Sequence, residues 1–72
     1  MKYKAGNLVR LKSNANEIPA HRKFPRVGYD CLGQVFEISY VDFNSFNYRL
    51  KSDNVDIRNT VWCEEWLELV TE

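Results

Sequence analysis

Residues 32–51 read LGQVFEISYVDFNSFNYRLK, and this stretch decides the fold class. Its second half carries the cleanest alternation in the chain. Phe46, Tyr48 and Leu50 share one parity and Asn47, Arg49 and Lys51 the other, the period of two expected of a strand with one buried face. The first half, Leu32 to Val41, is rich in β-branched and aromatic residues, with Phe36, Ile38 and Tyr40 on one face. Val35 and Val41 sit on the opposite parity, which means either two partly covered faces or a β-bulge that shifts the register midway. Between the halves, Asp42 to Ser45 offers side chains that bond nearby backbone and so favour a tight turn. The stretch is a predicted hairpin, with Phe46, Tyr48 and Leu50 pointing inward.

Working outward, Gly6 marks a turn before Asn7 to Lys12, where Val9 and Leu11 alternate with Leu8, Arg10 and Lys12 as in a half-buried strand. Ser13 to Asp30 holds Pro19, Pro25, Gly28 and small polar residues and shows neither period, so it is predicted to be one long loop. After the hairpin, Ser52 to Asn59 is polar except for Val55 and Ile57 and reads as a turn. A fourth strand is expected near Thr60, with Val61 and Cys63 on one side and Trp62 and Glu64 on the other. A helical turn over Glu64 to Leu67 and a last strand over Glu68 to Thr71 complete the reading. An alternative makes Cys63 to Val70 one amphipathic helix, because Trp66, Leu67 and Val70 fall at helical spacing. Four or five short strands with one long loop describe an all-β, strongly curved barrel rather than a sandwich.

Seventy-two residues make a single domain, 1–72, because so short a chain closes only one core and buries only ~60% of its unfolded surface. Two Trp, four Tyr and four Phe supply much of that core. Ten basic and ten acidic residues cancel, so no long-range field draws the molecule to nucleic acid or an anionic membrane. The distribution is uneven: Lys2, Lys4, Arg10, Lys12, Arg22, Lys23 and Arg26 precede a net acidic remainder. Cys31 and Cys63, without a signal peptide or a dense cysteine framework, are read as reduced in a cytoplasmic protein. No apolar run approaches the ~20 residues that span a bilayer.

Several segments in this order resemble small stand-alone SH3-like barrel proteins of bacteria and phages. These are Gly6-Asn7-Leu8-Val9-Arg10-Leu11-Lys12-Ser13, Gly33-Gln34-Val35 leading to Ile38, Tyr48-Arg49-Leu50, and Val61-Trp62 before Trp66-Leu67-Glu68-Leu69. The resemblance spans nearly the whole chain and implies an SH3-like barrel of about five strands, with a long first loop and a helical turn before the last strand. The sequence lacks the Ala-Leu-Tyr-Asp-Tyr signature and paired tryptophans of signalling SH3 domains, so recognition of proline-rich peptides is not implied. The bacterial group is largely uncharacterised, and the resemblance brings no ligand with it.

Function is read from the residues instead. The long loop holds Arg22, Lys23, Phe24, Arg26 and Tyr29, cations interleaved with aromatics, which contact phosphates while stacking bases or dock on an acidic protein surface. The bland reading of the same loop tucks Phe24 and Tyr29 onto the barrel as lids. Trp62 and Trp66 offer an aromatic platform beside it, or else close the barrel end. Glu64, Glu65, Glu68 and Glu72, with Asp53 and Asp56, form either a negative face or an ordinary solvated surface, and the second is preferred. His21 with Cys31 or Cys63 is the one nucleophilic pairing available, with no orienting partner in view. Two isolated cysteines and one histidine lack zinc-ligand spacing.

No catalytic residue, metal or cofactor is therefore expected. The leading reading is a non-enzymatic protein-binding module, an accessory or inhibitory protein of phage or mobile-element origin. A nucleic-acid-binding barrel using the loop is the alternative.

Overall fold

The computed structural model describes residues 2–70. It contains five strands: β1 (Leu8–Leu11), β2 (Val35–Asp42), β3 (Asn47–Leu50), β4 (Trp62–Cys63) and β5 (Leu67–Leu69). They form one antiparallel sheet in the order β4-β3-β2-β1-β5, so the protein is all-β as expected. The predicted last strand begins one residue earlier than expected, and its end at Thr71, like Glu72, lies outside the described residues. No long helix covers Cys63 to Val70. Among the described residues no helix is long and apolar enough to cross a membrane.

Each ladder follows from the parity of its apolar residues. In β1, Val9 and Leu11 are fully buried between exposed Leu8 and Arg10. Val9 pairs with Phe36 on one side and with Leu69 on the other. Gly33, at φ 80°, turns the chain into β2 and donates its amide to the Leu11 carbonyl at 2.7 Å, a conformation glycine adopts without a Cβ penalty.

β2 belongs to two ladders. Leu8, Val9 and Arg10 pair with its first half, while Ile38 and the residues beyond pair with β3. Between Ile38 and Tyr40 the register shifts, the bulge that Val35 and Val41 pointed to. Phe36 and Ile38 are buried as predicted. Beyond the bulge, Tyr40 turns outward and Val41 is half-buried, so Tyr40 does not continue the inward face.

The hairpin turn is held by Asp42, which accepts from the Asn44 and Ser45 amides at 3.1 and 3.3 Å and from the Ser45 hydroxyl at 2.9 Å. These bonds hold the Asp42 carboxyl below its ordinary range, the Ser45 hydroxyl contributing most. The turn closes with Phe46 at φ 57° and largely exposed, which corrects the expectation that Phe46 points inward. Asn47, expected outside, is buried instead. The reason is that β3 is covered on both faces at this end. Asn47 pairs with Cys63 and Tyr48 with Trp62, and all four are buried. Trp62 is therefore core, not the solvent side of β4.

Two further segments depart from expectation. Within Ser52 to Asn59, Val55–Arg58 forms one helical turn, α1. Asn54 caps it by accepting the Asp56 amide at 2.9 Å, and Ile57 is buried. The Ser13 to Asp30 connection also carries short 3-10 turns at Ala15–Glu17 and Arg26–Asp30. The predicted helical turn after β4 is present at Glu64–Trp66.

Candidate functional site

The loop takes its shape from the two tryptophans beneath it. Trp66 donates its indole N–H to the Ile18 carbonyl at 3.3 Å, and Trp62 donates to Ile57 at 3.4 Å. Both indoles are buried, 0% and 1% exposed, which corrects the idea of a surface platform. They stand edge-on to each other, with ring centroids 6.3 Å apart, and support the loop from inside.

Phe24 joins loop to core. Its ring centroid lies 5.0 Å from Trp66, 6.4 Å from Trp62 and 5.1 Å from Tyr29, edge-on in each case. The chain passes close by at Gly28, where a Cβ would fall 2.5 Å from Phe24 Cζ. Pro25, extended at φ −70°, precedes the turn, and its carbonyl accepts the Gly28 amide at 3.0 Å.

This scaffold brings Lys23, Phe24, Pro25, Arg26 and Tyr29 together around one groove of about 550 Å³. Tyr29 is 56% exposed, and Lys23 and Arg26 are exposed beside it. Four of the residues singled out in the sequence thus share one surface. Arg22 does not join them, and Trp62 and Trp66 act only from below.

Arg22 lines a second, larger groove of about 810 Å³, together with Lys12, His21, Phe46, Asn47 and Glu65. Charges of both signs meet there. Glu64 and Glu68 lie on it too, and Glu64 accepts the Lys2 amide at 3.1 Å. Asp53 lies instead on a separate groove with Lys51 and Arg58, so the acidic residues do not make one negative face.

Cys63 sits at the end of β4 with its sulfur 4.0 Å from His21 Nδ1. Burial pushes its thiol up and the Glu65 charge adds to this, against the Arg22 backbone and guanidinium, which pull it down. At neutral pH it is therefore a thiol, not a ready nucleophile. Cys31 lies elsewhere, its sulfur 3.6 Å from the Val27 and Gly28 carbonyls, and is pushed up by burial and by Asp30. Both cysteines are free. The grouping of His21, Cys63 and Glu65, whose donor atoms all lie within 4.8 Å of one another, escapes sequence reasoning because no local spacing announces it.

No protein family, curated protein or solved structure was found to match this chain.

Proposed function

We propose that this chain is a non-enzymatic protein-binding module, built on a small SH3-like barrel, that grips an acidic segment of its partner in the groove of Lys23, Phe24, Arg26 and Tyr29. The observation that supports it is the convergence of two cations and an exposed ring on one groove whose aromatic floor rests on buried tryptophans. A ring held in place before binding loses little freedom on contact, and that raises affinity. Small barrels of the bacterial and phage type give this reading its setting: an accessory or inhibitory protein acting in the cytoplasm.

Single-stranded nucleic acid is the second reading, favoured by Tyr29 beside Arg26. Continuous stacking needs successive exposed rings, and this groove offers Tyr29 beside a half-buried Phe24. Zero net charge also removes the long-range attraction.

Selection of random displayed peptides against the folded protein tests the proposal. Enriched peptides should carry Asp or Glu around an apolar residue and lose about tenfold or more in affinity, about 1.4 kcal/mol, against the Lys23→Glu/Arg26→Glu variant. Saturable binding of a labelled single-stranded oligonucleotide at low salt, with no peptide enriched, would replace it by the second reading.

A further inference from the structure

His21, Cys63 and Glu65 come from three different elements. His21 lies within the Ser13 to Asp30 loop, Cys63 ends β4, and Glu65 lies in the 3-10 turn that follows. Their nitrogen, sulfur and oxygen donors gather within 4.8 Å, with sulfur and imidazole 4.0 Å apart. In a tetrahedral zinc site the bonds of roughly 2.0–2.3 Å place donors about 3.3–3.8 Å from one another. His21 and Glu65 are exposed, so small rotations of their side chains close the difference.

A second observation points to the same place. Asn47 Oδ1 is a buried oxygen with no hydrogen-bond partner among the described residues. Buried acceptors are ordinarily satisfied, and a bound water or ion is one physical reason for one left open. Asn47 is the cross-strand partner of Cys63, so the two side chains share a face of the sheet. It also lines the large groove with His21 and Glu65.

We propose that His21, Cys63 and Glu65 bind a divalent transition metal of the zinc class, with a water as fourth ligand that donates to Asn47 Oδ1. Mixed sulfur, nitrogen and oxygen donors select zinc or cobalt over magnesium or calcium. Binding displaces the thiol proton to solvent and ties the middle of the Ser13 to Asp30 loop to β4.

Titration of the metal-free chain with Co²⁺, followed by absorption, tests this. One equivalent should give a near-ultraviolet thiolate-to-cobalt band together with the intense visible bands of a four-coordinate ion, both erased by Zn²⁺. His21→Ala, on the surface, should weaken binding by at least about tenfold, as loss of even an outer-shell partner does. Cys63→Ser should remove the near-ultraviolet band, and Cys31→Ser should keep it. Absence of that band in the unmodified chain at millimolar Co²⁺ overturns the site, as does unchanged affinity in His21→Ala. Because Cys63 is buried, the His21 variant decides the matter if Cys63→Ser does not fold.

Discussion

Phe24 stands edge-on to Trp66, with ring centroids 5.0 Å apart and planes at 80°. Through it the exposed Tyr29 is coupled to the core. Phe24→Ala should cost about 2–3 kcal/mol, less than a fully buried ring because Phe24 is half-buried. Urea denaturation measures this, and a loss below about 0.5 kcal/mol, the size of an ordinary surface change, would make Phe24 a bystander.

Gly28→Ala places a methyl 2.5 Å from Phe24 Cζ and 3.2 Å from Trp62 Cζ3. The expected loss is about 1–3 kcal/mol, as for overpacking generally. Combined with Phe24→Ala, the added methyl enters vacated space, so the double variant should lose less than the two single changes together. Simple additivity would sink the steric account.

Phe46 holds a left-handed φ of 57° and is 59% exposed as a residue. Non-glycine residues pay roughly 1–2 kcal/mol there, and asparagine tolerates it best. Phe46→Asn should therefore raise stability by about 1 kcal/mol, read as a higher midpoint in thermal melting. A lower midpoint would show that the ring contributes packing at the groove rim.

Alkaline pH should weaken the fold. The Tyr48 hydroxyl accepts the Tyr3 amide at 3.1 Å, and burial pushes its pKa above the ordinary value against that bond. Tyr3 is raised as well, by burial and then by Glu64 and Glu68. A raised acid keeps its proton in the folded state while the unfolded chain releases it. The stabilisation is therefore full below about pH 10 and is lost as pH rises through the raised values. The raised thiols Cys31 and Cys63 start the decline a little lower. Urea midpoints between pH 7 and 11 should fall above pH 9, and Tyr48→Phe should flatten the slope while costing about 1 kcal/mol at pH 7. A flat profile in the unmodified protein contradicts the burial argument.

Both thiols are buried and protonated at neutral pH, so the native protein should resist iodoacetamide and react only after unfolding. Rapid labelling of Cys63 alone in the native state would reopen the Cys63 and His21 pair as a nucleophilic centre.

The strands were legible wherever one face is buried, because Val9, Leu11, Phe36, Ile38, Tyr48 and Leu50 then alternate. Parity fails where both faces are covered, as at Asn47 and Trp62, since burial no longer distinguishes odd from even. It fails also at Phe46, where the turn imposes a backbone angle that composition does not encode. Val55 and Ile57 are two residues apart, a spacing that sets no helical period, so α1 was invisible. The Lys23 to Tyr29 surface was readable from cations next to rings. Whether Trp62 and Trp66 lie above or below that surface was not, because an indole serves a core and a platform equally well. His21 meets Cys63 only because the loop folds back over β4, a long-range event with no local sign.

The pairing of β1 with β5 sets Val9 against Leu69 and Leu11 against Leu67. The β2 and β3 hairpin can form soon after it is synthesised, since its partners are near neighbours in the chain. β1 must wait for residues 67–69 to leave the ribosome before its second edge is covered. Nascent protein therefore carries β1 with one edge open from the time β2 is made until residues 67–69 follow, and long-range closure of this kind slows folding.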